Sequence, residues 1–192
     1  LASYALFDDL TEWYEWDATS NQYELTNYNI ANTIIDGSQA TQGEVFQSTI
    51  LIDGIDALFL DCIEPVIFGL TITGGKGTQI IDNDDVVRLI GGGILSNNAI
   101  PSIHYNYIKE NHVQSLYSGG GVNLGSGIDF NERDGERDLL RCEGEVNLSD
   151  NFYRGNESLF GQTLSTTDFE GSLDMSNSVF DVYAFEQEDV SE

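Results

Sequence analysis

Beyond Asn29 the chain is a succession of short β-branched runs, NTIIDGSQA, STILIDGIDALFLDC and VIFGLTITGG, each closed by Asp-Gly, Gly-Gly or Asn. Such runs predict strands joined by tight turns, and none beyond this point holds a helical period. Segments this short cannot each bury a face alone, so stacking on copies of themselves is expected. The copies follow a frame of apolar, four residues, apolar: Ile67 and Ile72, Ile103 and Ile108, Leu148 and Tyr153, Met175 and Phe180. Two of them also share Asn-aromatic-Φ-x-x-Asn, at Asn106–Asn111 and Asn151–Asn156. Successive frames lie 36, 45 and 27 residues apart. That predicts a constant core unit, about five or six windings, with connections of unequal length.

The stretch from Gly91 to Val122 shows one winding in full, opening on GGGI and closing on GGGV. The glycine triplets at 91–93 and 119–121 allow bends that a Cβ would block. Asparagine tolerates the left-handed backbone region, and stacked Asn amides can bond from one winding to the next. Residues 1–29 have a different texture. Leu6, Leu10 and Trp13 fall at helical spacing with acids opposite, predicting a short amphipathic helix over the open end of the β-structure. Trp13 and Trp16 read as aromatics plugging that end, with a sugar-binding platform as the competing reading.

Composition narrows the picture. The 192 residues suffice for one sizeable domain or one elongated solenoid, and a hydrophobic content of 40% excludes general disorder. No apolar run has the length of a membrane span, so no membrane insertion is expected. A first residue Leu1 without a leader pattern reads as a mature form or an excised piece. Seven basic residues face 33 acidic ones, a net charge of -26 spread evenly along the chain. This disfavours nucleic acid and anionic membranes as partners, since phosphate neutralisation needs Lys and Arg. A solvated repulsive surface is the plain reading, and divalent-cation binding the sharper one. Cys62 and Cys142 have no metal or redox spacing and read equally as buried thiols or a bridge.

The elements TIIDG at 33–37, GLTITGG at 69–75, GGGI at 91–94, NYIKEN at 106–111 and GGGV at 119–122 carry a resemblance. They resemble the right-handed parallel β-helix repeats of bacterial exported and surface proteins. The GGGI and Asn pairing is also similar to the repeats of polymorphic outer-membrane proteins. The resemblance covers about residues 30 to 185 and implies an all-β, right-handed parallel β-helix (a solenoid), with residues 1–29 as its cap. It further implies an extracellular or cell-surface location and a part in adhesion, surface structure or glycan contact. Glycans or other surface proteins are the implied partners, within a larger chain or assembly.

The same fold carries pectate lyases, polygalacturonases and phage tailspike glycosidases, so a polysaccharide lyase or glycoside hydrolase is the alternative. Asp84-Asp85 matches one polygalacturonase element. Neither His104 nor His112 is flanked by glycines, Arg-Ile-Lys is missing, and no Lys or Arg stands in a lyase context. The chain therefore reads as a non-catalytic module. Specific chemistry is expected in loop insertions at 76–90, 124–144 and 157–170. In the first, Asp82, Asp84 and Asp85 are the candidate metal ligands. Calcium is the candidate ion, though the motifs require no cofactor. The DFNERDGERD stretch at 129–138 fails as a calcium loop, because Arg133 stands where an oxygen ligand is needed. Arg–carboxylate pairing fits it better.

Overall fold

The structure, a computed structural model, describes residues 13–40, 47–54, 62–81, 86–113, 119–126, 128, 141–167 and 169–181. Among them the protein is all-β except for one short helix, Tyr28–Asn32. Three parallel sheets dominate. Sheet 1 is ordered Val66–Phe68, Ser102–His104, Glu145–Asn147, Ser172–Asp174. Sheet 2 is ordered Ile34–Asp36, Thr71–Thr73, Tyr107–Lys109, Phe152–Arg154, Val179–Asp181. Sheet 3 is ordered Ile50–Asp53, Ile94–Asn97, Val122–Gly125, Leu164–Thr167. From Ile34 the chain visits sheets 2, 3 and 1 in that order and repeats the cycle, each new strand pairing beside its predecessor.

Register stacks like on like. Ile35, Ile72, Ile108, Tyr153 and Phe180 form one column in sheet 2. Ile50, Ile94, Val122 and Leu164 form another in sheet 3, and Ile67 pairs Ile103 in sheet 1. Side chains from all three sheets meet in one apolar cluster that includes Ile67, Ile72, Ile94, Ile108, Leu124 and Tyr153. Removing that surface from water is the main driving force for association of such short strands. Leu164–Thr167, expected inside a loop insertion, is a strand of sheet 3. Its sequence LSTT has a single apolar residue, so no hydrophobic run announced it.

The asparagines bond between rows, as expected. Asn106 donates Nδ2–H to Asn151 Oδ1 at 3.2 Å, and Asn111 donates to Asn156 Oδ1 at 2.9 Å. Their own oxygens accept from the backbone N–H of Leu70 and Gly75 at 3.1 and 2.9 Å. They do not, however, take the left-handed conformation. The residue before each does, giving one column of Gly69, Tyr105, Asp150 and Asn177 and another of Gly74, Glu110 and Gly155. The buried amide needs ordinary backbone geometry to reach the neighbouring carbonyls, so the preceding residue makes the corner. The glycine triplets divide their work similarly. Only Gly91 and Gly119 have positive φ. A Cβ on Gly92 or Gly93 would strike the carbonyl oxygen of Gly120 or Gly121 in the next row.

The N-terminal region departs from expectation. Leu6 and Leu10 lie outside the described residues. Trp13 is not helical, and Tyr14–Asp17 pairs antiparallel with Gln22–Leu25 as a hairpin. Alternating aromatics on facing strands, Trp16 opposite Tyr23, reward this pairing. Asp17 accepts the Thr19 N–H at 2.8 Å, and Asn21 adopts positive φ to close the turn. A helix follows at Tyr28–Asn32, capped by Asn27, whose side chain accepts from the Asn29 and Ile30 N–H groups. This segment packs against sheet 2 from outside: Trp13 and Ile30 are buried with Tyr107 and Phe152, the outward-facing residues of two adjacent strands.

Two further features frame the molecule. Thr78–Ile81 and Val87–Ile90 form a second antiparallel hairpin, whose Ile80 and Ile90 bury Leu95 on the outer side of sheet 3. Cys62 and Cys142 are joined in a disulfide, with Cα atoms 5.7 Å apart. The bridge lies beside Asn98, whose side chain accepts the Cys142 N–H at 2.9 Å. It ties together the stretches that lead into two different strands of sheet 1.

Candidate functional site

The residues singled out as metal ligands, Asp82, Asp84 and Asp85, lie outside the described residues, as does the 129–138 stretch. Ile81 and Val86, which flank that acidic loop, are both exposed. Among the described residues no three His, Cys, Asp or Glu side chains come together as a metal-holding group. His104 ends a strand of sheet 1 with its ring 5.9 Å from Phe68. His112 lies 2.9 Å from the Glu157 carboxylate, in the next row. The two histidines belong to different surroundings and do not converge on a common group.

What the fold assembles is a row of rings. Phe68 ends a strand of sheet 1, and Tyr105 occupies the left-handed corner between sheets 1 and 2, with ring centroids 5.4 Å apart. Tyr105 reaches Trp13 at 6.2 Å, and Trp13 meets Tyr14 at 5.0 Å. The hairpin carries the row outward, Tyr14 to Tyr23 at 5.7 Å and Tyr23 to Trp16 at 5.1 Å. All of these contacts are edge-on, the arrangement that ring quadrupoles favour. Trp13 is buried and anchors the row. Trp16, 50% exposed, and Tyr23, 36% exposed, present it to solvent. His104 extends the row at its other end.

Anchoring and display come from the same hairpin. Tyr14, Trp16, Tyr23 and Leu25 share one of its faces, because side chains alternate along a strand. Tyr14 and Leu25 pack against the cluster on sheet 2, so the other pair overhangs. Glu24 on the opposite face reaches Arg154 at 3.6 Å and steadies the hairpin against the same sheet. Trp13 therefore anchors the hairpin on the outer face of sheet 2 instead of plugging an open end, and Trp16 is the display residue, whereas the sequence treats them alike.

Asp150 gives the row its electrostatic character. It stands in the corner column one row beyond Tyr105 and accepts the Tyr105 N–H through its backbone oxygen at 2.9 Å. Burial pushes the Tyr105 phenol above its usual pKa, and the Asp150 charge adds to the rise. The Tyr14 phenol is pushed up by burial, then by Tyr23, then by Asp150. Both phenols are thus neutral donors at physiological pH, beside half-exposed ring faces and a carboxylate. Such a surface suits a ligand with apolar faces and polar edges.

Phe68, Tyr105, Tyr14, Tyr23 and Asp150 were not singled out from sequence. A signal existed for one of them, Tyr105. Aligning the frames puts Gly69, Tyr105, Asp150 and Asn177 at one position, and an aromatic where neighbours have turn residues marks a side chain displayed at a corner. No protein-family model, curated protein or solved structure matches this chain.

Proposed function

We propose that the chain is a right-handed parallel β-helix serving as a non-catalytic, glycan-contacting module of an exported or cell-surface protein. The helix reading is supported by the cyclic 2, 3, 1 order of the sheets and their shared core. Parallel crossovers of this kind are right-handed in nearly all proteins. The Cys62–Cys142 bridge supports export, since such bonds persist in oxidising compartments. The observation that carries the function is the row of rings ending in the exposed Trp16 and Tyr23. A pyranose offers a face of C–H groups to an aromatic ring and hydroxyls to neighbouring phenols and carboxylates.

The test is affinity electrophoresis through neutral, anionic and cationic polysaccharides, followed by calorimetry on those that retard the protein. Trp16→Ala should weaken binding by about tenfold, the loss of one stacking contact, without changing the melting temperature by more than a few degrees. Turnover of any of these polymers would overturn the non-catalytic reading. Failure to bind any of them would overturn glycan contact.

A further inference from the structure

We propose that the aromatic row takes an amine-bearing glycan, a polymer of hexosamines with free ammonium groups, and that Asp150 supplies the counter-charge. This rests on the glycan reading above and adds the charge of the ligand. Three observations point to it independently of one another.

The first is how the neighbouring carboxylates are matched. Glu24 faces Arg154 and Glu110 faces Lys109. Asp150, like Glu15 and Asp17 on the hairpin, has no ion pair among the described residues, and its backbone oxygen accepts the Tyr105 N–H at 2.9 Å, which holds it at the corner of the row. The second is the chemistry of the rings. The faces of Trp and Tyr attract cations through the ring quadrupole, by about 0.5–1 kcal/mol at exposed sites. The protein uses that attraction internally, with Lys109 Nζ 5.6 Å from the centre of the Tyr107 ring. The third is the field of the whole chain. A net charge of -26 repels polyuronates, leaves neutral glycans unaffected and draws in polycations, more strongly at low salt. Rings alone accommodate any sugar; rings, the Asp150 carboxylate at their corner and a negative field select one that carries positive charge.

The position also allows a clean variant. Asp150 has a φ of 54°, and the next row has Asn177 at the same corner with a φ of 56°. Asp150→Asn therefore removes the charge while keeping a residue that favours this conformation.

The experiment titrates the protein with a glucosamine oligomer and with the same oligomer fully N-acetylated, at low and at moderate salt. The free-amine oligomer should bind about tenfold more tightly at low salt, and salt should erode the advantage. Asp150→Asn should remove most of the preference at moderate salt, where the overall field is screened, whereas Trp16→Ala should weaken both ligands alike. Equal binding of the two oligomers would overturn the charge assignment and leave glycan contact standing. Binding of neither, by a variant or parent that melts normally, would overturn both. A preference undiminished at moderate salt in Asp150→Asn would assign it to the overall field and overturn the role of this site. Oligolysine binding as tightly as the sugar would show a basic peptide to be the ligand class, and would overturn the proposal.

Discussion

At the scale of single residues, most of the specific energy lies in the asparagines and in the corners before them. Asn111 bonds to the Gly75 N–H, the Ile72 and Lys109 carbonyls and the Asn156 side chain, all within 3.2 Å. Replacing it by leucine leaves several buried polar groups unmatched. A loss of about 3 kcal/mol is expected in urea unfolding, since each such group costs about 1–3 kcal/mol. The corner residue beside it has the opposite expectation. Glu110 holds a φ of 51° where the rows on either side have Gly74 and Gly155. Glu110→Gly should stabilise by about 0.5 kcal/mol, the relief of left-handed strain less the added chain entropy. Glu110→Ala keeps the strain and should bring no gain. Equal midpoints for the two variants would refute the strain argument.

Elements divide into those that build the core and those laid upon it. The strands of sheets 1 and 2 were legible, because Ile67, Ile72, Ile103 and Ile108 repeat a frame that the observed register reproduces, whereas Leu164–Thr167 of sheet 3 was not. The additions were not. Leu6, Leu10 and Trp13 suggest a helix, but the described part of that stretch becomes a hairpin, because Tyr14, Trp16 and Tyr23 gain more by cross-strand ring contacts and by packing on Phe152. Helical spacing cannot anticipate a partner that lies more than a hundred residues away. Trp13→Ala should therefore act locally. Amide exchange should quicken through Tyr14–Leu25, while Ile108 and Tyr153 in sheet 2 keep their protection. A uniform loss of protection would show that the hairpin is integral to the core. The candidate site was poorly legible for the same reason, being assembled from Phe68, Tyr105, Tyr14 and Trp16, residues that no local motif joins.

For the molecule as a whole, pH and the disulfide are the two external controls. Tyr153 is fully buried, and burial drives its phenol well above the usual value; Tyr14, Tyr105 and Tyr107 are raised by the same cause. The folded state thus favours the neutral phenols. Their contribution is fully present below about pH 10, where unfolded tyrosines ionise, and is lost as pH rises through the folded values. Unfolding free energy should fall steadily above that pH, and less steeply in Tyr153→Phe. The bridge between Cys62 and Cys142 spans 80 positions. Closing a loop of that size restricts the unfolded chain by about 4 kcal/mol in the chain-entropy description. A clear drop in urea midpoint is expected in Cys62→Ser/Cys142→Ser, and an unchanged midpoint would exclude that contribution.

That bridge also fixes what a protease can achieve. A single cut anywhere between residues 63 and 141 leaves two fragments that remain one covalent molecule. They migrate together on a denaturing gel until a reductant is added. Between those positions run the second hairpin, the Gly91–Val122 stretch and the acidic 129–138 segment, so damage to any of them is survivable in a sense that damage outside the loop is not. For a protein exposed to proteases, being nicked and being lost would then be separate events.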